Sequence, residues 1–230
     1  MCKFFSFCSD EFGKKYYFDW EQRKEMKFDN TDSHDHIISF YNLKDAEINC
    51  FEYNPLTRKF DVDKINTIDN RVQAEQWVNN LDFKKVVEPL IIKEIFMPLK
   101  GRAKNPSDKQ ILLLKDWASV RASVRASVGD SVRASVWDSV WASVRASVVA
   151  SVGDSVRASV VASVWASVWD SVRASVYGYI SSFFAIPYKY DFTTAIKLWE
   201  SGFVPSFDGK TWRLHSGKSA KIVYEWTPEK

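Results

Sequence analysis

The sequence is poor in several features that define classes of protein. It has only three cysteines among 230 residues, without regular spacing, which argues against a disulfide framework and favours a reducing compartment. No run approaches the roughly 18 consecutive apolar residues of a membrane-spanning helix. The first residues, MCKFFSFCSDEFGKK, contain neither a long apolar region nor a small-residue cleavage site. We therefore expect a cytoplasmic protein without a membrane partner.

A strong net charge is also missing. The chain carries 32 Lys and Arg against 29 Asp and Glu, a net charge of +3, and both signs are spread along its whole length. A protein dedicated to duplex DNA would show a basic segment. Hydrophobic residues make up 46% of the sequence and charged residues 27%, which indicates folded domains rather than a disordered chain.

The most regular feature that is present is a tetrapeptide array. Fifteen uninterrupted copies of x-[Ala/Asp]-Ser-Val run from Trp117 to Val176, and Ser and Val keep their places in every copy. The first place varies among Trp, Arg, Gly and Val, and the second is Ala except at four Asp residues. A longer 12-residue period also runs through the first place. It reflects either duplication of the underlying gene segment or the coil length of a solenoid.

The period of four can be met by two kinds of structure. In an α-helix it drifts by about 40° per unit, so the Val column of a long helix would not keep to one face. In a β-solenoid each unit forms one short face, and stacked coils bury the Val residues. The helical pattern ILLLKDW just before the array, and the absence of Pro within it, favour a helix. We predict the solenoid, with a long α-helix or helical hairpin as the alternative.

The segments on either side of the array have ordinary α+β patterns. FEYNPLTRKFDVD and VPSFDGKTWRLH predict hairpins, KKVVEPLIIKEIF and AKIVYEW predict strands, and helices are expected over 70–81 and 192–202. The predicted class is therefore α+β, with small α+β units flanking the array. The expected parts are an N-terminal α+β domain at 1–104, a linker and capping helix at 105–116, the array at 117–176, and a C-terminal helix plus β-meander at 177–230.

The variable first place of the array is the main candidate binding face. Arg pairs with phosphate and Trp stacks on bases, so a regular column of both types could contact a partner. The Asp residues of the array nearly cancel the Arg charge. This favours the simpler interpretation, in which the Arg side chains keep the array soluble and bind no partner. The residues of this candidate face are Arg121, Arg125, Arg133, Trp137, Trp141, Arg145, Arg157, Trp165, Trp169 and Arg173.

Three further motifs carry possible chemistry. Asp32, His34, Asp35 and His36 are potential metal ligands, and the two His could bind one metal from the same side. No further ligand to complete such a site lies elsewhere in the sequence at a recognisable spacing. GKS at 217–219 is similar to the end of a phosphate-binding loop, but Trp212 stands where the full motif needs Gly. Cys2 and Cys8 lack a Cys-x-x-Cys partner. We expect a solvated helix start, a plain turn and inert thiols, and no catalytic residue, cofactor or metal.

Seven segments, spread over nearly the whole chain, are similar to segments of a known group of proteins. They are KKYYFDWEQR, DSHDHIISFYNLK, EYNPLTRKFDVD, LDFKKVVEPLIIK, the [AD]SVx array, YGYISSFF and LWESGFVPSFDGKTWRLHSGK. Together they resemble a group of phage and gut-metagenome proteins that carries this tetrapeptide array and has no established activity. The resemblance implies a phage or mobile-element context in a bacterial host cell, and it implies no catalytic residues. The array is also similar, more loosely, to the face of a pentapeptide-repeat solenoid.

Three functions fit these observations. The first is a non-enzymatic structural or interaction protein, in which the array is a rigid spacer or a repetitive binding face for a protein partner. The second is a nucleic-acid-associated phage factor that uses the Arg/Trp column. The third is an enzyme with its site in an end domain. We expect the first.

Overall fold

A computed structural model describes residues 4–26, 33–120, 124–135, 138–150 and 165–229. The chain forms two compact units. The first comprises Met1–Glu94 with Arg133–Val144, and the second comprises Ile95–Val132 with Arg145–Lys230. This division runs through the tetrapeptide array, so both units contain residues of the array.

The first unit is built on a four-stranded antiparallel sheet in the order β2-β1-β3-β4. Side chains of β1 alternate between two covered faces. Cys8 packs in a cluster with Ile37 of the second helix, while the ring of Phe7 lies 4.9 Å from that of Trp77 in the third. Burial on both faces explains why β1 has no alternating pattern and was not predicted. The elements are β1 (Phe5–Asp10), β2 (Lys15–Tyr16), α1 (Trp20–Glu25), α2 (His34–Phe40), β3 (Ile48–Asn54), β4 (Lys59–Lys64) and α3 (Arg71–Asn79).

Two local predictions for this unit have opposite outcomes. The hairpin over 51–63 is confirmed as β3 and β4, with Asn54 Oδ1 accepting the backbone N–H of Leu56 and Thr57 in the turn. The strand over 84–96 is wrong. A short 3-10 helix occupies Phe83–Lys85, and the described backbone that follows forms only an isolated bridge at Leu90. Pro89 cannot donate a ladder hydrogen bond in this run.

The predicted β-solenoid is wrong. Every described residue of the array is α-helical except Ala134 and Ser135, which form a turn, and both sheets of the structure lie outside the array. The array is not one long helix either, since α5 ends at that turn. The helices are α4 (Asp108–Val120), α5 (Val124–Arg133), α6 (Asp138–Ala150) and α7 (Trp165–Ile180).

In a short helix, a four-residue repeat can keep its Val residues on one face. A drift of about 40° per unit spreads three consecutive Val residues over about 80°, which still fits one apolar stripe of about 100°. The stripe would turn away from the core only in a longer helix. Ser is a weak helix former, but the hydroxyl of Ser175 donates a hydrogen bond to the carbonyl oxygen of Val172 at 2.8 Å. The buried Val residues are Val128, Val132, Val140, Val144, Val148, Val172 and Val176.

The second unit packs helices against a three-stranded antiparallel sheet in the order β5-β6-β7. The helix and β-meander predicted after the array are confirmed. The indole of Trp199 stacks on Tyr179 at 4.9 Å and donates its Nε1 hydrogen to the carbonyl of Phe96. Among the described helices of the chain, none is long and apolar enough to cross a membrane. The remaining elements are α8 (Thr193–Glu200), β5 (Val204–Phe207), β6 (Trp212–Ser216) and β7 (Lys221–Trp226).

Candidate functional site

The candidate face on the array does not form one exposed column. Arg145 is exposed, Arg173 is half-buried, and Trp141 is only 4% exposed, so its ring is in the interior and not on a binding face. Arg125 and Arg133 lie in α5, and Trp165 and Trp169 lie in α7. The remaining three candidates, Arg121, Trp137 and Arg157, lie outside the described residues.

Of the potential metal ligands, the two histidines contact neighbouring residues of the fold, and the expected solvated helix start is wrong at His34. His34 is buried, its Nε2 lies 3.0 Å from the carbonyl oxygen of Phe51, and its Nδ1 lies 3.1 Å from Oδ2 of Asp63. His36 packs against the ring of Phe18. Asp32 lies outside the described residues. No cluster of three His, Cys, Asp or Glu that could hold a metal occurs in the described part of the chain.

GKS at 217–219 forms a turn between β6 and β7, as predicted. Gly217 has a φ of +74°, and a Cβ at this position would collide with the backbone of Ala103. The backbone N–H of Lys218 donates to the carbonyl of Gly101 at 3.0 Å. A strand follows this turn rather than a helix, so its backbone is not arranged as a phosphate-binding loop.

Ser206 and His215 have the hydrogen bonding of a nucleophile and its base. Ser206 Oγ lies 2.7 Å from Nε2 of His215, and Nδ1 of His215 lies 2.9 Å from the carbonyl oxygen of Ala220. Since that carbonyl can only accept, Nδ1 carries the hydrogen and Nε2 accepts from the serine. However, Ser206 is 0% exposed and His215 is 1% exposed. Burial lowers the pKa of His215, and a substrate has no access, so the pair is a satisfied core contact.

The two described cysteines face each other across paired strands. Cys8 of β1 is opposite Cys50 of β3, and their Sγ atoms are 3.6 Å apart. Both thiols are free and fully buried. The hydrogen bond with Cys50, together with burial, raises the pKa of Cys8, which keeps that thiol protonated and unreactive at neutral pH.

The most prominent exposed apolar side chains of the first unit lie on two loops, and on the helix start that follows one of them, at one end of its sheet. Phe12 follows β1 and is 88% exposed, Ile68 precedes α3 and is 65% exposed, and Val72 in the first turn of α3 is 59% exposed. Phe12 and Thr67 line one shallow cavity of about 390 Å³, which places the two loops side by side. We call Phe12, Ile68 and Val72 the loop surface.

Asp10 fixes the loop that carries Phe12. Its Oδ1 accepts the backbone N–H of Phe12 at 3.0 Å and of Lys14 at 2.9 Å, while Oδ2 accepts the hydroxyl of Tyr16 at 3.0 Å. The amino group of Lys15 donates to the carbonyl of Gly13 at 2.7 Å. Gly13 closes this turn with a φ of +84°, a conformation that favours glycine.

A buried pair of asparagines joins the two loops. Asn70 Nδ2 donates to the carbonyl of Asp10 at 2.7 Å and to Oγ of Ser9 at 2.9 Å. Asn49 Nδ2 donates to the carbonyl of Ile68 at 2.8 Å and to Oδ1 of Asn70 at 3.1 Å. Asn49 Oδ1 also accepts two backbone N–H groups of the second loop. Both amides are used fully, so the loop surface is held in one arrangement.

The comparisons with known proteins add no family. No protein-family model, no curated protein and no solved structure matches the chain. The geometry of the loop surface is therefore the basis of the functional proposal.

The loop surface was not identified from the sequence. The Asp10-x-Phe12-Gly13 segment carries a turn signal, because Asp accepts backbone hydrogen bonds and Gly adopts positive φ. Whether a Phe in such a turn is exposed depends on contacts from Asn70, which lies 60 residues further along the chain from Asp10. No local pattern contains that information.

Proposed function

We propose that this chain is a non-enzymatic protein-interaction module that docks a partner protein on the loop surface. The array helices form an internal scaffold rather than the binding face. The single observation that carries the proposal is Phe12, a large apolar side chain that is 88% exposed on a loop fixed by hydrogen bonds.

Preorganisation is the physical support for this role. Exposed aromatic anchors give much of the binding energy in protein interfaces, and a loop that is already ordered loses little entropy on binding. Asp10 and the Asn49–Asn70 pair order both loops before any partner arrives. The cavity shared by Phe12 and Thr67 brings the two loops together, and exposed apolar surface of this kind is typical of a binding site.

The chemistry of the surface indicates an apolar partner pocket. Three pairs of opposite charges near the two loops are already in ion pairs: Lys44 with Glu47 at 2.8 Å, Lys64 with Asp45 at 3.2 Å and Arg71 with Asp69 at 2.7 Å. These exposed pairs leave little net charge to steer a nucleic acid. A partner that accepts Phe12 and Ile68 in an apolar pocket is the best match.

The buried Val residues support the scaffold role of the array. They fill the interior sides of α5, α6 and α7, and the described Trp141 is buried with them. The invariant Ser and Val of the repeat therefore fit a requirement of packing. The resemblance to phage proteins and the free thiols of Cys8 and Cys50 support the cytoplasm of a bacterial host cell as the setting.

Differential capture tests the proposal. The tagged full-length chain, a Phe12→Ser/Ile68→Ser variant and a Leu112→Ser control are used to capture proteins from the host. Leu112 is 59% exposed on α4 and is a control for the loss of an exposed apolar side chain outside the loop surface. We expect one protein to be retained by wild type and control and lost by the double variant, with little dependence on salt. Equal retention by all three would refute the loop surface, and steep salt dependence would indicate the nucleic-acid alternative.

A further inference from the structure

A second surface of the first unit has the properties of a small-molecule site. A groove of about 630 Å³ lies between the β3–β4 hairpin and the segment after α3, within the size range of ligand pockets. Tyr53, Phe83 and Leu90 are buried at its base, and the exposed side chains of Ile91 and Ile92 line one side. None of these residues belongs to the loop surface, so this site is independent of the proposed docking function.

The rim of the groove carries two cations. The side chains of Arg58 and Lys84 are exposed, and neither has an ion-pair partner anywhere in the described ranges. The one carboxylate of the rim, Asp82, accepts the backbone N–H of Lys84 at 3.1 Å as the cap of the short helix. Burial raises the pKa of Tyr53, the charge of Arg58 lowers it, and the charge of Glu75 raises it, so a cation and a carboxylate both act on the tyrosine at the base of the groove.

The backbone of Arg58 provides a separate observation. Its φ is +55°, in the left-handed region that disfavours residues with a Cβ. Two other non-glycine residues in the described ranges have positive φ: Asn42, a type that tolerates this conformation, and Ala220, which is buried and accepts from His215. Arg58 is instead exposed, and glycine would relieve its backbone strain. A residue that is unfavourable for folding at its position indicates a role for its side chain.

We propose that this groove binds a small aliphatic carboxylate, with the carboxylate between Arg58 and Lys84 and the apolar chain against Ile91 and Ile92. Arg forms paired hydrogen bonds with carboxylates, and the base of the groove offers apolar and aromatic surface. The hydroxyl of Tyr53 donates to Oδ1 of Asn79 at 2.8 Å, which fixes the ring at the base of the groove.

Titration calorimetry of the full-length chain with three probes tests the site. Octanoate carries both chemical features, octanol has only the apolar chain, and acetate has only the charge. We expect octanoate to bind at least about tenfold more tightly than either of the other two. Methyl NMR signals of Ile91 and Ile92 should shift with octanoate. Equal binding of octanol and octanoate, no binding of octanoate, or shifts confined to other methyl groups would overturn the proposal.

Variants separate binding from folding. Arg58→Gly should weaken octanoate binding about tenfold or more while its thermal midpoint stays at or above that of wild type, because the backbone strain is relieved. Lys84→Gln should weaken binding without a change in fold. Lys59 lies on the same hairpin, but its charge is paired with Asp61. Lys59→Gln should therefore leave octanoate binding unchanged. Wild-type affinity in both Arg58→Gly and Lys84→Gln, or an equal loss in Lys59→Gln, would rule out the assigned site.

Discussion

Asn49 donates a hydrogen bond from Nδ2 to Oδ1 of Asn70 at 3.1 Å inside the first unit, and this pair joins the two loops that form the loop surface. Asn70→Ala removes the donor that reaches Ser9 and Asp10 and leaves buried polar atoms unsatisfied. We expect a loss of about 1–3 kcal/mol in the free energy of unfolding. Hydrogen exchange at residues 10–14 and 66–70 should become faster.

A matched control for this variant is Asn80→Ala. Asn80 donates to the carbonyl of Gln76 from an exposed position at the end of α3. Its removal should change the unfolding free energy by less than about 0.5 kcal/mol. If amide hydrogens in both loops exchanged equally slowly in the two alanine variants, the asparagine pair would not be what holds the loops in place.

Gly178 permits close packing of the helices in the second unit. A Cβ at this position would lie 2.8 Å from the Cβ of Ala195 and 3.2 Å from the ring of Trp117. Gly178→Ala should therefore lower stability by about 1–3 kcal/mol, even though Ala is the better helix former. In contrast, Gly129→Ala places its Cβ no closer than 4.0 Å to Tyr177, and should stabilise α5 by up to about 1 kcal/mol. Thermal unfolding of the two variants measures the difference, and a gain from Gly178→Ala would contradict the packing.

The Val residues of the array should contribute to stability far more than its exposed variable residues. Val144 is fully buried in α6, and its neighbour Arg145 is exposed. Val144→Ala deletes two buried carbons and should cost about 2 kcal/mol. Arg145→Ala should change stability by less than about 0.5 kcal/mol. Denaturant titrations of both variants test this, and equal effects would mean that the Val stripe does not face the core.

Asp208 should give the second unit a specific dependence on acidic pH. Partial burial raises the pKa of Asp208, but hydrogen bonds from Thr211 N–H, Arg213 and Lys210 N–H outweigh it and lower this pKa from 3.8 to about 2. The unfolded chain therefore binds the proton first. The stabilisation is complete above about pH 4 and is lost as the pH falls through about 2.

Asp208→Asn isolates this effect, because Asn keeps an oxygen for the turn while it cannot ionise. We expect wild type to be about 1–2 kcal/mol more stable than the variant above about pH 4, with the gap closing towards pH 2. Urea unfolding of both proteins across this range is the measurement. A gap that stays constant with pH would show that the ionised carboxylate is not the stabilising form.

Local signals in the sequence predicted the elements that local chemistry determines. Asn54 initiates the turn of the β3–β4 hairpin, and the helix and meander after the array follow from ordinary caps, turns and periodicity. The strand β1 lacks alternation because both of its faces are covered, and this depends on tertiary packing. The hairpin, the helix and the meander could therefore be predicted from local residues, whereas β1 could not, because the residues that cover it are distant in the sequence.

Neither the helices of the array nor the loop surface could be predicted from the sequence, and the reasons differ. Drift of the Val column excludes a long helix but not several short ones, and no residue of the repeat marks where each helix ends. The turn at Ala134 and Ser135 has the same repeat chemistry as its neighbours. The loop surface depends on Asn49 and Asn70, whose partners lie far away in the sequence. Single-sequence patterns carry no record of such contacts.

Site-specific photo-crosslinking at position 12 tests the docking function most directly. A benzophenone amino acid replaces Phe12 in the full-length chain in host cells, and the same group at Leu112 is the control. We predict one discrete crosslinked partner protein from position 12, absent from position 112 and reduced when Asn70→Ala loosens the loops. No adduct at position 12, or the same set of adducts from both positions, would contradict the proposed function.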